Sequence, residues 1–126
     1  KYDNLGHPTG SSVTGINVHA DFAAVNVNFW ITPSKSNMSE ASGGLKVYDV
    51  GAPVSWDFET YNSDQALIRK EIETNKGEAS VIPYKGNRIV IFNSNLFHET
   101  DSYQFKEGYE NRRINVTMLF GERAAV

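Results

Sequence analysis

The chain has 126 residues, of which 40% are hydrophobic and 21% charged, so it can form one domain with one hydrophobic core over residues 1–126. A formal net charge of −3, and the lack of any apolar run long enough to span a bilayer, argue against nucleic acid or a membrane as partners. There is no cysteine, which excludes disulfides and thiolate metal sites and fits a cytoplasmic location.

The N-terminal part of the chain predicts an irregular lead-in. Residues 1–12 are polar and rich in turn formers, and His7 lies there in a His-Pro turn, where we do not expect a metal ligand. The chain begins with Lys1 rather than methionine and soon enters strand-like sequence. We therefore expect a fragment or excised domain whose N-terminal part is missing; a processed chain is the alternative.

Alternating side chains predict the first strands. Residues 13–19 alternate, and residues 25–32 are β-branched and aromatic with clean alternation. The apolar face of the second stretch consists of Val25, Val27, Phe29 and Ile31. The other face carries Asn26, Asn28 and Trp30, so that face is either exposed to solvent or lines a polar cavity.

The middle of the chain predicts a loop, a strand and an aromatic segment. Residues 33–44 form a loop by composition, and residues 45–48 are typical of a strand. Residues 51–61 combine proline with several aromatic residues, which predicts an ordered loop held in place by its rings.

Residues 63–76 are the one good helix candidate. Ser63 can cap this helix, and Asp64 favours its first turn. Ile68 and Ile72 lie one helical turn apart and so share a face that can pack on a core.

The C-terminal half predicts further strands. Residues 78–83 form a short strand, residues 88–92 form a strongly apolar strand, and residues 93–97 form a loop that delivers His98 at a strand end. Residues 112–120 form the last strand. The number of short strands, with turns between them and one helix, predicts an all-β sandwich or barrel.

A histidine and a carboxylate stand one residue apart at His19 and Asp21. On a strand, such residues point the same way and can reach one ion together. Taken alone, the motif is better explained by a surface aspartate beside a partly buried histidine. With His98 added, two histidines and one carboxylate match the facial triad of non-heme Fe(II) oxygenases, which leaves coordination positions open. No further protein ligand is evident to close the site as a structural one.

An arginine begins the last predicted strand. Arg113 shares a strand face with Asn115 and Thr117, and an arginine inside a barrel needs an anionic partner. A dicarboxylate would satisfy it through paired hydrogen bonds. The alternatives are a surface-exposed Arg113 paired with a nearby glutamate, and Arg112 in its place if the register shifts by one residue.

These motifs resemble, in order and spacing, the 2-oxoglutarate/Fe(II)-dependent dioxygenases, and most of all the prolyl-hydroxylase-like branch. The resemblance covers residues 16–121. The segments that carry it are H-A-D, G-G-L-K-V-Y, G-N-R-I-V-I-F-N-S-N-L-F-H-E and R-R-I-N-V-T-M-L-F. The resemblance implies a double-stranded β-helix, a cupin-like jelly roll with one short helix. It also implies that the N-terminal helical region usual in that family is lacking here, so that a homo-oligomer would cover the exposed sheet face.

The resemblance also implies roles for particular residues. His19, Asp21 and His98 would hold Fe(II), and Arg113 would bind the distal carboxylate of 2-oxoglutarate. Residues that would contact this cosubstrate are Thr117, Asn28 and Asn26. The implied activity is hydroxylation of a protein side chain or a small molecule, which consumes O2 and releases succinate and CO2, with ascorbate as reductant. The alternative is a non-catalytic cupin-like metal-binding domain or an inactive fragment of such an enzyme.

Overall fold

Residues 15–123 are described by a computed structural model, in which they form six β-strands, two α-helices and two short 3-10 turns. Residues 1–14, which include His7 and the beginning of the predicted strand 13–19, lie outside the described residues. In chain order the strands and helices are β1 (Val25–Trp30), β2 (Leu45–Gly51), α1 (Phe58–Ser63), α2 (Gln65–Thr74), β3 (Ala79–Ile82), β4 (Arg88–Asn93), β5 (Leu96–Thr100) and β6 (Asn115–Phe120).

The strands form two antiparallel sheets of three strands each, in the orders β4-β1-β6 and β3-β2-β5. This architecture confirms the predicted all-β class. Most successive strands lie in different sheets: β4 pairs with β1 while the next strand, β5, pairs with β2. The exception is β2 and β3, which pair with each other. The described residues contain no helix long and apolar enough to cross a membrane.

The alternation predicted for β1 is confirmed, and its polar face is the buried one. Asn26 is 1% exposed, Asn28 7% and Trp30 0%, whereas Val25 on the opposite face is 38% exposed. Of the two readings left open for this face, exposure to solvent is therefore wrong. The asparagines line the inside of the molecule, where buried amides need hydrogen-bond partners.

The outer face of the β4-β1-β6 sheet is apolar and exposed in residues 15–123. The register places the apolar residues of the three strands side by side across this face. Its exposed members are Val25, Ile89, Ile91, Val116, Met118 and Phe120. The homo-oligomer expected from the sequence stays a prediction, and this face is the surface that it would cover.

The single predicted helix 63–76 is wrong in its first turn, and the loop predicted over residues 51–61 is wrong at its end. Two helices meet at this point, each with an aspartate as its N-cap: the Asp57 side chain accepts from Thr60 N at 2.9 Å, and Asp64 accepts from Leu67 N at 3.0 Å. Ser63 ends α1 instead of capping α2. A carboxylate satisfies the free N–H groups of a first turn well, so two aspartates produce two short helices.

The apolar face predicted for the helix is confirmed. Ile68 is 0% exposed and Ile72 is 7% exposed. Both pack in one core cluster with Val18, Ala20 and Phe97, which flank His19 and His98 in the chain. The helix therefore buttresses the segment that carries the candidate metal ligands.

Truncation of Ile68 to alanine is expected to lower the free energy of unfolding by about 2–5 kcal/mol, because it leaves a cavity beside Val18 and Phe97. Urea denaturation followed by circular dichroism measures the change. Leu67→Ala on the same helix is the control, since Leu67 is 43% exposed, and its effect should stay below about 1 kcal/mol. Equal losses in the two variants would contradict the core position of Ile68.

Candidate metal centre

His98 lies within a strand, so the predicted loop 93–97 and the strand-end position are wrong. Ser94 and Asn95 form a tight turn, and β5 runs from Leu96 to Thr100 around His98. The apolar strand continues through Asn93, which leaves only two turn residues between sheets.

The His19–Asp21 segment is an irregular stretch attached to β5 rather than a strand of its own. Within residues 15–19, only His19 pairs in a β-bridge, and its partner is His98. His19 N donates to His98 O at 3.0 Å, and His98 N donates to His19 O at 2.9 Å. Asp21 N donates to Ser94 O at 3.1 Å. These backbone bonds bring residues distant in sequence to one point.

The three predicted ligands converge. His19, Asp21 and His98 each offer a ligand atom, and these atoms all lie within 4.8 Å of one another. His19 Nε2 is 3.6 Å from Asp21 Oδ1, and His98 Nε2 is 3.2 Å from Asp21 Oδ2. The group could hold one metal ion.

The tautomers of both histidines suit a cation. His19 Nδ1 lies 2.7 Å from Asn17 O, and His98 Nδ1 lies 2.8 Å from Leu96 O. A carbonyl oxygen only accepts, so each Nδ1 carries a proton, and in the neutral imidazole each Nε2 presents a lone pair toward Asp21. Lone pairs and a carboxylate facing each other repel unless a cation or proton lies between them. The donor set therefore fits a divalent ion, with the backbone carbonyls orienting the rings.

Electrostatics favour the metal-binding protonation states of His19 and Asp21. Burial lowers the pKa of His19 below its ordinary 6.5, and the nearby His98 lowers it further. Burial alone would raise the pKa of Asp21, but a hydrogen bond from protonated His98, the positive charges of the protonated histidines and the hydrogen bond from Asn26 outweigh it, so the pKa of Asp21 lies below 3.8. A neutral imidazole and an ionised carboxylate are the forms that bind metals.

The metal-free protein is expected to lose stability as the pH falls below 6.5, because His19 takes up a proton more readily in the unfolded chain. The pKa of His19 is lower in the folded protein than in the unfolded chain. The stability that its neutral imidazole contributes is therefore fully present above pH 6.5 and is lost as the pH falls through the pKa of the folded protein. Urea denaturation in the presence of a chelator at pH 7.5 and 5.5 measures it. The His19→Gln variant should show a smaller difference between the two pH values; an equal difference would contradict the lowered pKa.

A chain of asparagine side chains joins the metal group to Arg113. Asn26 Nδ2 donates to Asp21 Oδ2 at 2.9 Å, and Asn28 Nδ2 donates to Asn26 Oδ1 at 2.6 Å. Asn115 Nδ2 donates to Asn28 Oδ1 at 3.1 Å, and Arg113 Nη1 donates to Asn115 Oδ1 at 3.1 Å. Every amide dipole points the same way, from the cation to the anion. This orientation stabilises both charged ends.

Arg113 is half-buried and held by a glycine turn rather than by an acid. Its Nε donates to Gly43 O at 2.7 Å, and its Nη2 donates to Gly44 O at 3.2 Å. Gly43 has a φ of 84°, a conformation that favours glycine and presents these carbonyls. Burial lowers the pKa of the guanidinium. Three rings lie within 6.0 Å of it, those of Trp30, Tyr84 and Tyr103.

The predicted alternative, in which Arg113 pairs with a glutamate at the surface, is wrong. Within residues 15–123, Arg113 forms no ion pair with a carboxylate. Arg112 is directed elsewhere, with its guanidinium 5.1 Å from the centre of the Tyr109 ring. The strand predicted from residue 112 begins instead at Asn115, so Arg113 precedes β6. Its guanidinium retains N–H groups that could meet an anion.

All seven residues predicted for the site line one cavity of about 220 Å³. They are His19, Asp21, Asn26, Asn28, His98, Arg113 and Thr117. Thr117 is exposed and accepts from Asn115 Nδ2 at 3.0 Å, so it lies at an edge of the cavity. Leu45 and Leu119 add apolar walls that the sequence did not single out.

Two further side chains support the metal group without any sequence signal. Asn62 Nδ2 donates to Ala20 O at 3.1 Å, and Gln65 Nε2 donates to Val18 O at 2.7 Å. These bonds hold the backbone on both sides of His19. Since they join residues 42 and 47 positions apart, only the fold reveals them.

Comparison with models of protein families, with curated proteins and with solved structures returned no significant match to this chain. The resemblance of the motifs to a family therefore stays a prediction. The arrangement of the side chains carries the functional proposal.

Proposed function

We propose that this chain is a 2-oxoglutarate- and Fe(II)-dependent oxygenase domain with a jelly-roll fold. One observation carries the proposal: a His-Asp-His group and an arginine that has no acidic partner among residues 15–123 line the same cavity. In it, His19, Asp21 and His98 hold the iron, and Arg113 binds the distal carboxylate of 2-oxoglutarate. Four of the five steps between successive strands cross from one sheet to the other, the exception being β2 to β3, and this supports the jelly roll.

The bound iron would supply oxidation of a C–H bond coupled to oxidative decarboxylation of the cosubstrate. The overall reaction balances: 2-oxoglutarate, O2 and a substrate R–H give succinate, CO2 and R–OH. Ascorbate serves as a reductant that keeps the iron ferrous. The substrate is a protein side chain or a small molecule.

The chain's own residues bind and orient in this reaction. The part of the chain that the structure describes supplies three ligands, which leaves coordination positions for the cosubstrate. Arg113 fixes the far end of the cosubstrate, and the hydroxyl of Thr117 adds a hydrogen bond near the cavity edge. Asn26 and Asn28 hold Asp21 in place and offer polar contacts along the cavity, while Leu45 keeps water away from it.

A non-catalytic cupin-like metal-binding domain, or an inactive fragment, is the alternative. It would need the same three ligands but gives no role to an arginine turned into the cavity. The half-buried, acid-free guanidinium of Arg113 therefore favours the oxygenase.

Titration of 2-oxoglutarate into the Mn(II)-loaded protein tests the proposal without a known substrate. We expect stoichiometric binding that requires the metal, followed by slow uncoupled release of succinate when Fe(II), O2 and ascorbate are supplied. The metal-free protein is the control. Metal binding without any affinity for 2-oxoglutarate would contradict the oxygenase proposal and favour the alternative, a non-catalytic metal-binding domain.

A further inference from the structure

A second cavity borders the metal group at the junction of α1 and α2. It has a volume of about 410 Å³, and its lining includes His19 and Asp21 together with Asn17, Asn62 and Gln65. The first cavity shares His19 and Asp21 with it but alone contains Arg113. The metal group is thus open to two spaces. If the cosubstrate occupies the one with Arg113, the other remains for the molecule to be oxidised.

Hydrogen bonds to the backbone fix the orientation of two side-chain amides in the second cavity. The nitrogens of Asn62 and Gln65 donate to the backbone carbonyls of Ala20 and Val18, and a carbonyl accepts only from the nitrogen end of an amide. The oxygens Oδ1 of Asn62 and Oε1 of Gln65 accept no hydrogen bond from the described residues. They remain as hydrogen-bond acceptors for a ligand.

The charge of the residues that line the second cavity also favours a neutral ligand with hydrogen-bond donors. Among the residues described there, no lysine or arginine is present, and Asp21 is the one acid. A carboxylate or phosphate on a ligand would lose its water and gain no cationic partner beyond the metal group. A neutral group with N–H or O–H donors would donate hydrogen bonds to the two amide oxygens, which would offset the free-energy cost of removing it from water.

We propose, on the basis of the oxygenase function above, that the second cavity binds the substrate and selects a neutral group rich in N–H or O–H donors. Asn62 and Gln65 are the residues that determine this specificity. A peptide segment with free backbone N–H groups and a polyol share this chemistry, so the test includes both.

Proton NMR relaxation of small probes in the presence of Mn(II)- and 2-oxoglutarate-loaded protein tests the proposal, because the paramagnetic ion broadens only molecules that bind beside it. The probes are N-acetyl-alanyl-alaninamide, xylitol and the free acid N-acetyl-alanyl-alanine. We expect saturable broadening from at least one neutral probe and none from the acid. The protein loaded with Zn(II) gives the diamagnetic baseline. Which neutral probe is broadened distinguishes a peptide from a polyol.

One variant tests the specificity residue Gln65, and a second tests the charge of the cavity lining. Gln65→Met keeps the length of the side chain but removes the acceptor, and it should weaken binding of the neutral probe by about two- to tenfold. The 2-oxoglutarate affinity of the same variant reports whether the metal group is still in place. Ser63→Lys adds a cation to the cavity lining and should admit the free acid. Leu67→Met, an exposed position on α2 outside the cavity lining, is the matched control.

Broadening of the acid as strong as that of the amide, or no broadening of any neutral probe while 2-oxoglutarate still binds, would overturn the substrate proposal alone. An unchanged probe affinity in Gln65→Met would overturn the role of that residue. Failure of 2-oxoglutarate to bind at all would instead contradict the proposed function on which this inference rests.

Discussion

His98→Ala is expected to reduce the affinity for Mn(II) or Fe(II) by at least about 100-fold. Substitution of residues that only hydrogen-bond to metal ligands already reduces metal affinity by about 10–100-fold, and loss of a ligand itself should have a larger effect. The His98 side chain is 4% exposed, and its Nε2 lies 3.2 Å from Asp21 Oδ2, which places it in the centre of the candidate ligand group. Electron paramagnetic resonance of free Mn(II) during titration measures the loss. Cosubstrate binding should disappear with the metal.

The matched control for this variant is His7→Gln. His7 is the third histidine of the chain and is predicted not to be a ligand. Its replacement should leave the Mn(II) affinity within about twofold of the wild type. Because His98 contacts the Phe92 ring, with centroids 4.8 Å apart, circular dichroism must first show that the alanine variant is folded. A folded His98→Ala protein with wild-type metal affinity would contradict the proposed ligand set.

Arg113→Met is expected to lower 2-oxoglutarate affinity by about tenfold to 100-fold while leaving the affinity for Mn(II) alone nearly unchanged. A hydrogen bond to a charged group contributes about 1.5–3 kcal/mol, and the half-buried position of Arg113 limits screening by water. Calorimetric titration of 2-oxoglutarate into Mn(II)-loaded protein gives the affinity. Arg113→Lys should retain part of the binding, since it keeps the charge and loses the planar fork.

Arg112→Met separates the neighbouring arginines. The Arg112 guanidinium lies over the Tyr109 ring and does not line the Arg113 cavity, so its loss should change 2-oxoglutarate affinity by less than about threefold. A larger effect in Arg112→Met than in Arg113→Met would reverse the assignment. Equal, small effects in both would leave the dicarboxylate without a cationic partner and contradict the cosubstrate proposal.

Local patterns predicted β1 and most later strands, because alternation of side chains depends only on neighbours in the chain. The strand predicted over residues 13–19 is wrong in its described part, which is irregular. The alternation of β1 placed Asn26, Asn28 and Trp30 on one face, and that face is buried. The pattern could not choose between a solvated face and a polar cavity. That choice depends on Asn115, which completes the hydrogen bonds from another strand.

The helical region shows why element boundaries are harder to predict. Ser63 and Asp64 are both good caps, and the sequence offers no way to rank them without knowing where the preceding chain runs. Asp57 begins a helix of six residues, too short for a periodic apolar face to reveal. The apolar spacing of Ile68 and Ile72 was sufficient to predict the face that packs on the core.

The sequence was sufficient to predict the candidate metal ligands but not the residues that hydrogen-bond to the backbone beside them. His19, Asp21 and His98 carry recognisable chemistry, and their convergence follows from a single backbone pairing between the two histidines. Asn62 and Gln65 are common polar residues in a helical region, so nothing in the sequence marks them. Their contacts arise from tertiary packing of the helices against the irregular segment that contains His19.

A crystal structure of the protein soaked anaerobically with Mn(II) and 2-oxoglutarate tests the central claim most directly. We expect one anomalous peak about 2.0–2.2 Å from His19 Nε2, an Asp21 carboxylate oxygen and His98 Nε2. The distal carboxylate of 2-oxoglutarate should lie within hydrogen-bond distance of the Arg113 guanidinium. A metal bound elsewhere, or a cosubstrate whose carboxylate does not reach Arg113, would contradict the account.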